Sequence, residues 1–143
     1  MLYLDVETNG IGGFRPPTQR IVQVSWIFCE NEYNYFVKDV EKVSASVPHS
    51  ISVDYCRTHG KDWAVIYKEL EKCLEDTDVV VCHNTEFDLS SIAYELKVRK
   101  QNTKKYKAIL KDMFERNSVV CTMRGTTEIC KIPFPSGSEG YKF

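Results

Sequence analysis

Two acidic residues interrupt an apolar run at the start of the chain, and their spacing is the strongest constraint in the sequence. The run reads Leu2-Tyr3-Leu4-Asp5-Val6-Glu7-Thr8. Side chains two positions apart on a β-strand point to the same face, so Asp5 and Glu7 should converge while Val6 packs on the opposite face. Carboxylate oxygens are the preferred ligands of hard divalent cations. The run therefore predicts a strand that carries two ligands of a metal site.

A second apolar run ends in a further acidic motif. Residues 79–82 are apolar, and the segment that follows contains His83, Asn84, Phe87 and Asp88. Asp88 could add a third carboxylate to the cluster, which would suit phosphoryl chemistry. It could also be the N-cap of a helix that begins near Leu89, a common role for aspartate. The two roles are compatible at a junction between a strand and a helix.

The two motifs together resemble those of the DnaQ-like DEDD 3'-5' exonucleases. Either motif alone would be weak evidence, because an Asp-x-Glu pair at a strand end is usually a solvated turn. Asp5 and Glu7 match the first motif of that family, and the segment from His83 to Asp88 matches the second. Residues 20–26 resemble the second strand of the family, so the similarity extends over most of the chain.

The resemblance implies a 3'-5' exonuclease that hydrolyses phosphodiester bonds at the 3' end of single-stranded nucleic acid. Two Mg²⁺ or Mn²⁺ ions about 4 Å apart would activate a water molecule and stabilise the leaving oxygen. Asp5 would bridge the ions and Glu7 and Asp88 would flank them, which makes these three the catalytic and metal-binding residues. The implied substrate-binding residues are Thr8, His83, Asn84 and Phe87. His83 is also expected to support the local structure rather than to act as a base.

The remaining sequence predicts alternating strands and helices. Strands are expected at residues 2–7, 21–28, 33–37, 79–82 and 119–123, and amphipathic helices at residues 63–74, 89–96 and 106–114. Asp62 is placed to cap the first helix. Three meandering strands followed by alternating helices and strands give an α/β fold, a mixed β-sheet with helices packed against it. The resemblance implies that this sheet is ribonuclease-H-like.

One part of the family pattern has no counterpart here, the final helix with a His or Tyr base and a fourth aspartate. The histidines are His49, His59 and His83, and the only aspartate after Asp88 is Asp112. We therefore expect residues 1–143 to form a single exonuclease domain without its C-terminal helix. Loss of the general base costs about 10²- to 10⁴-fold in rate, so little activity is expected unless a partner chain supplies that helix. The alternative is a catalytically inactive nucleic-acid-binding or polymerase-associated module.

Charge and composition add weaker indications. The formal net charge of the chain is −1, so it has no overall positive charge of the kind typical of strong nucleic-acid binders. Residues 97–107 contain several basic residues and no acidic ones, and could meet phosphates or simply form a solvated loop and helix start. The amino terminus shows no signal-peptide pattern, and no apolar run reaches membrane-spanning length. A cytoplasmic or nuclear protein without membrane contact is therefore expected.

Overall fold

A mixed sheet of five strands is the framework of the described chain. The computed structural model describes residues 1–11, 18–130, 132–133 and 141–142. The strands of the sheet are β1 (Leu2–Thr8), β2 (Ile21–Phe28), β3 (Asn31–Phe36), β4 (Val80–Cys82) and β5 (Val119–Cys121). Their order is β3-β2-β1-β4-β5, in which β1, β2 and β3 are antiparallel neighbours and β4 and β5 run parallel to β1. A separate pair joins β6 (Ile132–Pro133) to β7 (Tyr141–Lys142).

Helices connect the strands and pack on the sheet. They are α1 (Val53–His59), α2 (Trp63–Asp76), α3 (Thr85–Val98), α4 (Thr103–Glu115) and α5 (Thr122–Cys130). This arrangement confirms the predicted α/β class and the mixed sheet with helices against it. In the part of the chain that the structure describes, no helix is long and apolar enough to cross a membrane.

The alternation of side chains along β1 separates a buried face of the sheet from an open one. Leu2, Leu4 and Val6 are buried, and the positions between them, which include Asp5 and Glu7, are more exposed. The buried face packs against apolar side chains of the helices, which include Trp63, Ile66, Leu70, Ile92, Leu96, Tyr106 and Met113. The two acidic residues of β1 therefore lie on the face that the core helices leave uncovered.

A buried carboxylate links α3 to the start of β2 through hydrogen bonds. The side chain of Glu95 is fully buried and accepts hydrogen bonds from Arg20 Nη2 at 2.7 Å and Arg99 Nε at 2.6 Å. It also accepts a bond from the backbone N–H of Ile21 at 3.2 Å. Arg99 makes a second ion pair with Asp39. Because the buried charge is paired and hydrogen-bonded, it is compatible with the apolar core around it.

The structure corrects several predicted boundaries. The last predicted strand, residues 119–123, ends at Cys121, and α5 begins at the next residue. This helix contains neither histidine nor aspartate, so it does not supply the expected base. Asp62 occupies the N-cap position of α2, but its side chain makes no capping bond. Phe114, the last residue of the amphipathic helix predicted at residues 106–114, is 55% exposed.

Substitution of Glu95 by Gln should destabilise the fold, because Arg20 and Arg99 would lose their shared counter-charge. We expect a loss of about 3 kcal/mol in the free energy of unfolding, measured by urea denaturation. The matched control is Glu115→Gln, which removes an exposed ion pair with Lys111 and should cost less than about 0.5 kcal/mol. Equal effects of the two substitutions would contradict the role assigned to Glu95.

Candidate metal-binding active site

The candidate site lies where β1 extends beyond its neighbour β4. Leu2, Tyr3 and Leu4 pair with β4, whereas the rest of β1 continues past the end of that strand. The carboxylate of Asp88, in the first turn of α3, lies close enough to the backbone N–H of Val6 on this free edge for that group to lower its pKa. It accepts a hydrogen bond from the backbone N–H of Asn84 at 3.3 Å. These contacts place Asp88 beside the strand segment that carries Asp5 and Glu7.

Asn84, rather than Asp88, is the N-cap of α3. The helix begins at Thr85, and the side chain of Asn84 accepts a bond from the backbone N–H of Phe87 at 3.5 Å. The alternative that Asp88 caps a helix beginning near Leu89 is therefore wrong. The helix starts one turn earlier because Asn84 satisfies its first free N–H groups, so the Asp88 side chain lies within the helix and points back to the strand junction.

The carboxylates of β1 are both harder to ionise than free side chains. Partial desolvation raises the pKa of Asp5, and the nearby His83 lowers it. Desolvation and the charge of Asp5 raise the pKa of Glu7, whereas His49 lowers it. The two acids of the first motif therefore interact electrostatically, as expected for residues two apart on one strand.

Asp88 shows the strongest effect. Its side chain is 2% exposed, and burial together with the charges of Asp5 and Glu7 raises its pKa to about 7, although the backbone N–H groups of Asn84 and Val6 lower it. Burial disfavours the charged form of a carboxyl group, and nearby negative charges add to that effect. The structure thus brings the three predicted acids into one electrostatic cluster.

The chemistry of this cluster fits a hard divalent cation, but its side chains are not arranged as a finished coordination site. Within the described residues, no group of three or more His, Cys, Asp or Glu side chains is placed to hold one ion. A buried carboxyl group with a raised pKa beside two other carboxylates is nonetheless a donor set that a cation would stabilise, since the cation offsets the mutual repulsion. Binding would require the carboxylates to move closer together.

A partly apolar pocket of about 320 Å³ adjoins Glu7. Its lining includes three of the predicted substrate-binding residues, Thr8, Asn84 and Phe87, together with Gly10, Ile11, Val47 and Pro48. Apolar side chains around a few polar groups are typical of small-molecule pockets. The pocket is therefore suited to a flat, partly apolar group held next to the carboxylates.

His83 does not line this pocket. It lies at a second concavity of about 480 Å³ on the open face of the sheet, which also includes Asp5. Its Nδ1 lies 3.1 Å from the hydroxyl of Thr122, and its carbonyl accepts a bond from the backbone N–H of Met123 at 2.9 Å. His83 thus connects the end of β4 to the start of α5, while its ring is close enough to Asp5 to lower the pKa of that residue.

His49 is a site residue that the sequence reasoning missed. Its Nδ1 accepts a bond from the backbone N–H of Ile51 at 3.2 Å, so the ring proton is assigned to Nε2, which donates to the carbonyl of Thr8 at 2.8 Å. The residues just before it, Val47 and Pro48, form one wall of the pocket. His49 therefore holds the loop after β3 against the end of β1. No motif marks it, because the contact spans 41 positions of sequence.

Comparisons with known proteins identify the fold but not a family. No protein-family model matches the sequence, and no curated protein matches it. Among solved structures, exonuclease I bound to the inhibitor BCBP is similar over 99% of this chain, with a TM-score of 0.69 and 15% identity. E. coli exonuclease I with a dA13 oligonucleotide gives 0.60 and 14% over the same share, and cell-death related nuclease 4 (CRN-4) gives 0.51 and 16%.

These structures are considerably longer than the present chain. It spans about a third of exonuclease I, 33% in both complexes, and 58% of CRN-4. At such low identity the similarity establishes the fold alone, which agrees with the predicted ribonuclease-H-like architecture. The chain therefore has a nuclease-like fold with three acids and a pocket at the carboxyl end of β1.

In metal-free protein, ionisation of Asp88 should oppose folding. Its pKa rises from about 4 in the unfolded chain to about 7 in the folded one, so the folded state retains the proton longer and loses stability as the pH rises between these values. Relative to the wild type, Asp88→Asn should gain up to about 4 kcal/mol between about pH 4 and pH 8. Urea denaturation of both proteins in EDTA measures this difference. A difference that does not change with pH would contradict the proposed environment of Asp88.

Proposed function

We propose that this chain carries the catalytic centre of a 3'-5' exonuclease that acts on single-stranded nucleic acid by a two-metal-ion mechanism. The observation that carries the proposal is the position of Asp88, which is 2% exposed and lies close to Asp5 and Glu7, so that burial first and the charges of these two acids second raise its pKa to about 7. The adjoining pocket and the exonuclease-like fold support the same conclusion.

Asp5, Glu7 and Asp88 would hold Mg²⁺ or Mn²⁺. Such ions, when bound, activate water for attack and stabilise the charge on the leaving oxygen. The protein's own contribution is to present the acids on rigid elements, two on β1 and one in the first turn of α3. Position on regular secondary structure favours accurate placement of catalytic groups.

The pocket beside Glu7 would receive the terminal nucleotide. Phe87 and Ile11 offer apolar surface for a base, and Asn84 offers a polar side chain at the rim. Base contacts of this kind are sequence-tolerant, because every base has an apolar face. Exonuclease I has been crystallised with a dA13 oligonucleotide, which agrees with a single-stranded substrate.

The general base is the catalytic group for which this centre has the weakest candidate. Both ring nitrogens of His49 bond to backbone groups, and Nδ1 of His83 lies against Thr122. A partner chain could supply the base beside Asp5, and without one we expect slow hydrolysis.

A second candidate function is a catalytically inactive nucleic-acid-binding or polymerase-associated module. The arrangement of the acids favours it, since within the described part of the chain they form no finished ligand cluster. Metal binding distinguishes the two functions, because an inactive module has no need of a cation at this position.

Addition of MnCl₂ should stabilise the protein if the acids bind metal. A ligand at 100 times its dissociation constant adds about 2.7 kcal/mol to the free energy of unfolding, which corresponds to several degrees in Tm. We expect a concentration-dependent rise in Tm that is lost in Asp5→Asn. The control Asp112→Asn removes an exposed carboxylate paired with Arg116 and should keep the rise. The absence of any rise in the wild type would favour the inactive module.

Incubation with 5'-labelled single-stranded DNA and MnCl₂ tests the activity itself. We expect slow, EDTA-sensitive shortening from the 3' end, and its loss in Asp88→Asn. Phe87→Ala should raise KM about 10-fold with a smaller effect on kcat, because it removes apolar contact with the terminal base. Equal shortening by wild type and Asp88→Asn would contradict the proposal.

A further inference from the structure

Four lysines at the turn between α3 and α4 have no acidic partner among the described residues. Lys97, Lys100, Lys104 and Lys107 are all exposed, and none of them forms an ion pair with a described residue. We call these four residues the basic corner. Their neighbours in sequence differ, because Arg99 pairs with Glu95 and Asp39, and Lys105 pairs with Glu71 and Glu75. The described part of the chain therefore leaves the charge of the corner unneutralised.

Two of these lysines, Lys100 and Lys104, line concave surfaces at the turn. Lys100 and Asn102 adopt positive φ values of 55° and 26°, which turn the chain sharply between the helices. One concavity of about 490 Å³ is lined by residues 100–105, and a second of about 500 Å³ is lined by residues 100–102 and the facing side of α2. On α4, Lys104 and Lys107 are three positions apart, so they lie on the same side of the helix.

Helix α3 leads from the candidate site to the basic corner. Phe87, which lines the pocket, stands near its first turn, and Lys97 stands near its end. Positions 87, 94 and 97 share a helical face, and Tyr94 between them is partly exposed. The axial distance from Phe87 to Lys97 is about 15 Å at 1.5 Å per residue. A strand that leaves the pocket along this face would reach the corner after a few nucleotides.

We propose that the basic corner binds the phosphate backbone of the single-stranded nucleic acid whose 3' end enters the pocket. This proposal rests on the exonuclease function proposed above. The site itself is rich in carboxylates and the whole chain has a net charge of −1, so neither attracts a polyanion strongly. Separated ammonium groups with free donors match the repeated phosphates of a strand, and they need no base-specific contact.

The test compares two triple variants in binding to a fluorescein-labelled oligonucleotide of about twelve nucleotides, measured by anisotropy in CaCl₂. The first variant replaces Lys97, Lys100 and Lys104 by Gln. The control replaces Lys38, Lys42 and Lys72 by Gln, three exposed lysines outside the corner, and changes the net charge equally. We expect the corner variant to bind about 10-fold more weakly and the control to stay within about 2-fold. The dependence of log K on log salt should become shallower by about 2 in the corner variant, at about 0.7 per lost phosphate contact.

A dinucleotide separates the corner from the pocket. It occupies the pocket but is too short to reach Lys97, so its competition for the site should be unchanged in the corner variant. Equal weakening in both triple variants, equal weakening with the dinucleotide, or no weakening would overturn the proposal. Loss of binding to phosphatidylserine vesicles with oligonucleotide binding retained would overturn it in favour of a membrane contact.

The outcome is separable from that of the proposed function. If Mn²⁺ causes no thermal shift but the corner variant alone loses oligonucleotide binding, the exonuclease proposal fails and the corner remains a nucleic-acid surface. If Mn²⁺ binds and DNA is shortened while the corner variant binds as the wild type does, the corner proposal fails alone. Because all four lysines are exposed, the Tm of the corner variant should match that of the control variant. The salt dependence of oligonucleotide binding by the wild type gives a further measurement that needs no variant.

Discussion

The approach of the Asp88 carboxylate to the backbone N–H of Val6 is the contact on which the candidate site depends. It joins the free edge of β1 to the first turn of α3, two elements that are far apart in sequence. The same junction sets the position of Asn84 and Phe87 at the pocket. Because β1 extends beyond β4, its backbone N–H can face the carboxylate of Asp88 on α3. The fold itself therefore places the third acid.

The two buried carboxylates of α3 differ in whether a basic partner compensates their charge. Glu95 is paired with two arginines and stabilises the contact between α3 and β2. Asp88 has no basic partner among the described residues, and burial and two neighbouring acids raise its pKa. Crowded acids without a cation oppose folding, and such local conflicts are expected at functional sites rather than elsewhere. The contrast supports the proposal that Asp88 binds metal, whereas Glu95 stabilises the fold.

The sequence predicted the parts of the fold that follow from local periodicity. The alternation in β1 and β2 gave both strands and the face of Asp5 and Glu7, and the apolar stripes gave α2 and α4. Two helices escaped prediction: α1 has only seven residues, and α5 begins with Thr122 and contains Gly125, which are poor helix formers. The contact of His49 could not be predicted, because its partner Thr8 lies on a distant element. The ion pairing of the lysines could not be predicted for the same reason, since the acids that pair with Lys105 lie on α2. The N-cap of α3 was not assigned to Asn84, because Asn84 and Asp88 are both residue types favoured at that position.

The proposed centre requires that Asp5, Glu7 and Asp88 share divalent cations in the folded protein. Anomalous X-ray diffraction from crystals soaked in MnCl₂ locates the metal without reference to activity. We expect manganese peaks within coordination distance of all three carboxylates, with Asp88 still beside Val6. Manganese bound elsewhere, or carboxylates that remain apart at saturating manganese, would contradict it.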